Sequence, residues 1–193
     1  YLQKCGIQPE AGLSQILFSM SMEQGADYLK EHYRLSQTEE EIGAGIAKLL
    51  ENYYFYQVPA KSGAEELLHF LAERNIPMAA ATSSPREHVT RALARLGLLP
   101  YLSSVFTTAE VGESKHTPAI YLCAAQSLGT APAETLVFED SLYALKTAAA
   151  AGFPTVGVFD ANGEADQPGL RAAATVYLAG LTDFPGHWRG LNN

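Results

Sequence analysis

The stretch Thr135-Leu136-Val137-Phe138-Glu139-Asp140-Ser141-Leu142-Tyr143-Ala144-Leu145-Lys146-Thr147-Ala148-Ala149-Ala150-Ala151-Gly152 decides the fold. It opens on a short apolar run rich in strand formers, Thr135 to Phe138. Two adjacent carboxylates follow, Glu139 and Asp140, and then an Ala-rich helical segment that stops at Gly152. Like charges side by side repel, and ligands of α/β sheets sit at the carboxyl ends of strands. A divalent cation relieves the repulsion, and hard oxygen ligands suit Mg²⁺. A second reading fits the stretch equally well: Asp140 or Ser141 caps the helix, with Glu139 beside it favouring the helix dipole. The neighbouring strand ends decide between the two.

Working outward, the same alternation runs from Gly63 to the end of the chain. A helix over 63–74 leads to a strand, Pro77 to Ala81, and Ser84-Pro85-Arg86-Glu87 has the pattern of a capped helix start. Strand Ser104-Val105-Phe106, a helix over 118–128, the strand into Glu139 and its helix follow. Strand Thr155 to Val158, a helical turn over 169–173 and a last strand, Thr175 to Leu178, complete the pattern. Strands alternating with helices over short connections predict a parallel sheet covered on both faces. Residues 1 to about 57 instead read as helices only. Ser21-Met22-Glu23-Gln24 and Thr38-Glu39-Glu40-Glu41 both have capping-box spacing, and Ile42, Ile46, Leu49, Leu50 and Tyr53 share one helical face. The aromatic run Tyr53 to Tyr56 reads as a packing seam. Pro59 and Gly63 end the helical pattern. The expected organisation is a small helical domain over residues 1–58 and an α/β core over residues 59–193.

In a parallel sheet the strand ends share one crevice. The first offers Thr82-Ser83-Ser84; the second is followed by Thr107-Thr108 and, after a loop, Lys115; the third carries Glu139-Asp140-Ser141; the fourth leads to Asp160. Hydroxyls before a helix start, with unpaired N–H groups and the dipole aimed the same way, make a phosphate site. Ser84 is expected to act as a plain cap, which leaves Thr82 and Ser83 for phosphate. Lys115 alone has the standing of any surface lysine. Gly112-Glu113-Ser114-Lys115 lacks the glycine a phosphate-binding P-loop needs, and no Gly-x-Gly-x-x-Gly follows a strand. Hydroxyl, lysine and acidic pair at separate strand ends together suit phosphoryl transfer: hydroxyl and lysine neutralise phosphoryl oxygens while the pair holds Mg²⁺.

Composition sets the outer bounds. The chain has 193 residues, 47% of them hydrophobic and 18% charged, as in ordinary globular proteins. A net charge of −8 with no basic run argues against nucleic acid or an anionic membrane as partner. Cys5 and Cys123 are too few for a disulfide framework and lie in no metal-ligand spacing. No apolar run approaches bilayer-spanning length, and no signal peptide precedes the first helix. A cytoplasmic enzyme or binding protein, monomeric, is expected from this.

On these residues the sequence resembles the haloacid dehalogenase superfamily, in particular its β-phosphoglucomutase-like phosphatases and mutases with a helical cap. Met78 to Ser83 is similar to the family's second motif, with Thr82 at the phosphate position. Lys115, within Ala109 to Pro118, is similar to its third-motif lysine, and Val137 to Ser141 to its acidic fourth motif. The resemblance implies a Rossmann-like parallel-sheet core beneath an all-helical cap. It implies Lys115 as a catalytic and phosphate-binding residue, Asp140 as a direct Mg²⁺ ligand, and Glu139 as acting on the ion directly or through water. It implies a small phosphorylated metabolite as substrate, a sugar phosphate among the candidates. Dehalogenases themselves need no metal, so the acidic pair argues against them.

Two departures stand out. His116-Thr117-Pro118-Ala119 keeps only the second proline of the family's Pro-x-Pro-Asp. The first motif, an apolar strand ending in Asp-x-Asp-Gly-Thr whose aspartates are nucleophile and general acid/base, has no counterpart. No Asp-x-Asp occurs, and Asp27 lies in a cap helix. That strand runs through the middle of the family's sheet, so a gap between two halves of the core is expected, with unpaired edges. The expectation is therefore an N-terminally truncated chain, starting at Tyr1 inside a helix and inactive as written, from a Mg²⁺-dependent phosphatase. A sugar-phosphate mutase and a non-catalytic phosphate- or partner-binding member remain as alternatives. A receiver-like domain has its acidic pair on the first strand, the wrong order here. Phe18 to Gly25 reads equally as substrate contact or as helix capping by Ser21.

Overall fold

The chain divides after Gln57 into two compact units, Tyr1–Gln57 and Val58–Asn193. The computed structural model describes residues 1–17, 20, 22–161 and 163–191. The capping box expected at Ser21, and with it Phe18 and Ser19 of the stretch offered as substrate contact, lies outside the described residues.

The first unit is helical. A 3₁₀ turn, Leu2–Cys5, stops at Gly6, whose φ of +74° closes it. Helices α1 (Leu13–Leu17), α2 (Met22–Tyr33) and α3 (Glu39–Tyr56) follow. The capping box at α3 forms as read: Glu41 N–H donates to Thr38 Oγ1 at 3.2 Å and Thr38 N–H to Glu41 Oε2 at 2.9 Å. Leu2, Ala26, Leu29 and Ile42 make the core of this unit. Of the apolar face expected on α3, Ile42 is fully buried while Leu50 and Tyr53 are exposed. The packing-seam expectation fails for Tyr56, which is 70% exposed. Its ring instead meets Phe55 edge-on.

The second unit holds the strands. In order come α4 (Ala64–Ala72), β1 (Ala79–Thr82), α5 (Arg86–Arg95), β2 (Ser104–Thr107), α6 (Thr108–Val111), α7 (Ala119–Leu128), β3 (Val137–Glu139), α8 (Leu142–Ala150), β4 (Thr155–Val158), α9 (Gln167–Ala173), β5 (Val176–Leu178) and α10 (Phe184–Leu191). All pairing is parallel, in two sheets rather than one: β1 with β2, and β3-β4-β5. Sequence patterning missed α6 and α10. The first is one short turn, and the second carries Pro185 and two glycines, which mask its periodicity.

β4 is buried at all four positions, as the middle strand of a sheet covered on both faces should be. Leu67 and Leu71 of α4 pack with Val156, Val158, Leu178 and Phe184 in one cluster. Ile120, Tyr121 and Ala125 of α7 pack with Val137, Ala148 and Phe153 in a second. Between β1 and β3 lies a cavity of about 800 Å³. Ala79 and Ala81 line one side of it and Val137 and Phe138 the other, with Leu67, Leu71, Tyr121 and Ala124 from the flanking helices. Among the described residues β1 pairs only with β2 and β3 only with β4, so each keeps one unpaired edge. The gap expected between two halves of the core is present among the described residues.

Gly63 starts α4 with φ +81°, and a Cβ there would come within 2.8 Å of the Thr182 backbone nitrogen. Gly63→Ala should therefore cost about 1–3 kcal/mol through a left-handed backbone and a rigid neighbour. That corresponds to a melting temperature lower by about 2–12 °C for a chain of this size. An unchanged melting curve would contradict this account of the turn.

Candidate active site at the strand ends

At the end of β1 the expected helix cap shifts. Pro85, rather than Ser84, holds the N-cap position of α5 and supplies no side-chain bond. Ser84 instead donates its backbone N–H to Thr82 Oγ1 at 3.1 Å. Thr82 thus closes a local turn ahead of α5 and does not cap the helix, and a hydroxyl that accepts one bond still has a proton to donate. Ser83 is exposed. Among the described residues neither Thr82 nor Ser83 bonds to Lys115, Glu139 or Asp140.

At the end of β2, buried Thr107 caps α6 by accepting Glu110 N–H at 3.2 Å. Glu110 also forms a two-pronged ion pair with Arg86 at the start of α5, through Nε and, at 2.7 Å, through Nη2. The same Nη2 donates to Val105 O at 2.6 Å. This clamp ties the start of α5 to the turn that leads to Lys115. The guanidinium, with help from Thr107, holds the Glu110 carboxyl down at about 2.

Lys115 and Glu139 meet. The ammonium lies 2.5 Å from Glu139 Oε1, with 14% and 6% of their side chains exposed. Tyr121 Oη donates to the same oxygen at 2.7 Å. A buried carboxylate is tolerated only when paired and hydrogen-bonded, and both conditions hold here. Burial first, and then the Glu139 charge, push the Tyr121 phenol far up, so it stays a protonated donor. Tyr121 escaped sequence reading because an aromatic on an apolar helix looks like core. His116, next to Lys115, stacks on Tyr143 of α8 with ring centroids 4.4 Å apart, which ties the lysine loop to the helix that follows the acidic pair.

Asp140 takes a different direction. The sequence left helix capping and cation binding open for it, and the cap turns out to be supplied elsewhere: Leu142 N–H, at the start of α8, donates to Glu164 Oε2 at 3.0 Å. Ser141 sits at the N-cap position without a side-chain cap bond, and its Oγ is buried and unpartnered among the described residues. The Asp140 carboxylate instead lies 3.9 Å from Lys61 Nζ. The same ammonium is 2.5 Å from Asp160 Oδ2 and 3.3 Å from the Phe159 carbonyl. Three oxygens from the ends of β3 and β4 thus gather round one cation. Among the described residues no three His, Cys, Asp or Glu side chains form a ligand group. Two carboxylates beside open solvent would suit an ion that keeps several waters and takes its remaining ligands from a phosphate, as Mg²⁺ does. The unpartnered Ser141 hydroxyl fits the same picture.

Lysine, hydroxyls and carboxylates at the carboxyl end of a parallel α/β sheet define a phosphate-handling class of fold. The family model for haloacid dehalogenase-like hydrolases matches residues 9–152. The chain belongs to that family. It is 33% identical to hexitol phosphatase A of Escherichia coli (strain K12) over 179 residues, 91% of this chain and 78% of that protein. It is 36% identical to validoxylamine A 7′-phosphate phosphatase of Streptomyces hygroscopicus subsp. limoneus over 121 residues, 63% of this chain. The match spans only 55% of that second relative's length. Among solved structures, a haloacid dehalogenase family hydrolase from Deinococcus radiodurans R1, with bound phosphate and sodium, superposes with a TM-score of 0.76 at 22% identity, covering 98% of this chain and 86% of that one. β-Phosphoglucomutase from Clostridium difficile gives 0.69 at 17%, covering 98% and 85%. Both show a shared fold. Among the described residues no helix is long and apolar enough to cross a membrane. Cys5 and Cys123 are free and half-buried.

Glu110 has its carboxyl depressed in the folded state, so its contribution is present above the ordinary carboxylate range and lost as pH falls toward about 2. The stability lead of the wild type over Glu110→Gln, read by urea unfolding, should therefore be largest near pH 6 and mostly lost by about pH 2. A lead as large at pH 2 as at pH 6 would contradict the clamp. Tyr121→Phe removes one donor from a buried carboxylate and should cost about 1.5–3 kcal/mol, read by the same unfolding curves. No loss would mean that the bond contributes nothing to stability.

Proposed function

We propose that the protein is a Mg²⁺-dependent phosphatase of small phosphorylated metabolites that works through a phospho-aspartate. The observation that carries this reading is the buried Lys115–Glu139–Tyr121 network set one residue from an Asp140 that reaches outward to a cation. The network holds the ammonium near the strand ends, where it would neutralise a phosphoryl oxygen. Thr82 and Ser83 would add hydroxyl donors, and the start of α5 its N–H groups. Asp140 would be the direct Mg²⁺ ligand with Asp160 beside it. Glu139, whose Oε1 is committed to Lys115 and Tyr121, would act through a bound water. The ion supplies charge neutralisation at the transferring group.

The nucleophile is proposed to be an aspartate on a further strand seated between β1 and β3, where two unpaired edges and an apolar cavity await one. Its carboxylate oxygen would bond to phosphorus as the bond from phosphorus to the substrate's bridging oxygen breaks, that oxygen taking its proton from a second aspartate at the end of the same strand. Water would then break the acyl phosphate, releasing inorganic phosphate and restoring the carboxylate. None of the 193 residues forms an Asp-x-Asp, so the chain as given is proposed to bind ligand without turning it over. Residues 1–58 are proposed as a helical cap domain, and the cytoplasm as the place of action. Sugar and sugar-alcohol phosphates lead the substrate candidates, because hexitol phosphatase A and the phosphorylated carbohydrates phosphatase of Thermotoga maritima are among the relatives.

In a protein that carries such a strand, hydrolysis of p-nitrophenyl phosphate should need Mg²⁺. Asp140→Ala should lower kcat/KM by about 10²–10³-fold, the loss typical when one electrostatic partner of the transition state goes. Turnover unchanged in that variant, or in EDTA, would overturn the metal assignment.

A further inference from the structure

Lys61 belongs to none of the features read from the sequence, yet its side chain joins two strand ends 79 and 99 residues away in the chain. Asp140 and Asp160 leave adjacent parallel strands at the same end of the sheet, where their charges repel. Lys61 sits against both, and the Phe159 carbonyl supplies a third oxygen. Its backbone is anchored: Ala64 N–H donates to the Lys61 carbonyl at 3.0 Å, and Gly63 packs on the Leu181–Thr182 backbone. Its side chain is not enclosed, being 37% exposed, with Asp140 at 48% and Asp160 at 28%. An anchored backbone carrying a flexible, strongly hydrated ammonium makes a cation that can leave and return.

We propose that Lys61 is the resident counter-cation of the Asp140–Asp160 pair, and that a divalent ion occupies these carboxylates only by displacing it. The inference rests on the metal reading of Asp140 given above and adds a competitor built into the chain. With Lys61 in place the pair keeps one negative charge in excess. A divalent ion between the carboxylates cancels their two charges and with them the attraction that holds the ammonium there. The lysine therefore holds the two strand ends together when no metal is bound, and it weakens metal binding in proportion to its hold.

The test is calorimetric titration of Mg²⁺ into the 193-residue chain, its Lys61→Met and Lys61→Arg variants, and Asp140→Ala, at low salt. Removing one unit charge from a half-exposed site should tighten Mg²⁺ binding about tenfold in Lys61→Met. Lys61→Arg, which keeps the charge, should stay within about threefold of the wild type, and Asp140→Ala should abolish the signal. A second measurement needs no binding heat: without metal Lys61→Met should melt below the wild type, and saturating Mg²⁺ should close the gap. Lys61→Gln serves in the same way if methionine impairs folding. Equal or weaker Mg²⁺ binding in Lys61→Met, with Asp140→Ala still abolishing it, would overturn the role of Lys61 and leave the metal reading standing. Binding indifferent to Asp140→Ala, or absent throughout, would overturn both.

Discussion

A carboxylate buried at the end of β3 constrains everything around it. Glu139 is almost fully buried, and a charge in that position survives only with an opposite charge and a hydrogen bond at hand. Lys115 and Tyr121 meet that demand from the loop after α6 and from α7. To bring them there, α7 must lie across the sheet with its tyrosine facing in, and the lysine loop must fold back onto α8, where His116 stacks on Tyr143. The local arrangement that satisfies one buried charge also delivers an ammonium to the carboxyl ends of the strands.

The second constraint is the split between β1-β2 and β3-β4-β5. Parallel sheets bury their strands on both faces, and an unpaired edge inside such a core leaves backbone N–H and C=O groups without strand partners. The edges of β1 and β3 flank an apolar cavity roofed by residues of α4 and α7, a shape suited to one more extended segment. A strand seated there would end between Thr82 on one side and Glu139 on the other. From that position the proposed aspartate would meet the phosphoryl group that the hydroxyl, the lysine and a metal ion are proposed to hold.

Much of this was legible in the residues because parallel α/β sheets have a strict grammar. Short apolar runs followed by helices gave the order of elements, and the rule that ligands sit at strand ends singled out Thr82, Lys115, Glu139 and Asp140. The capping box at Thr38 was readable because it is local. The groups that complete the site were not, since each acts at long range or in an ordinary guise. Tyr121 looks like any aromatic on an apolar helix. Glu164 caps α8 from a loop 22 residues downstream. Lys61 stands in a connection marked only by its proline and glycine, far in sequence from Asp160. Ser84 was misread by one position, because Pro85 takes the N-cap place without offering a side-chain acceptor. For Tyr121, Glu164 and Lys61 the deciding partner is brought in by the tertiary fold; for Ser84 it is the next residue.

The strand ends are proposed to form one site for a phosphoryl group and a divalent ion together. Two ligands that share a site bind reciprocally, each raising the affinity of the other by the same factor. The most direct measurement is the dissociation constant of inorganic phosphate for the 193-residue chain as Mg²⁺ is raised, followed by ³¹P resonance. The account predicts that phosphate binding tightens with Mg²⁺, that Mg²⁺ binding tightens equally with phosphate, and that Lys115→Ala weakens phosphate binding. Phosphate affinity indifferent to both Mg²⁺ and Lys115 would contradict it.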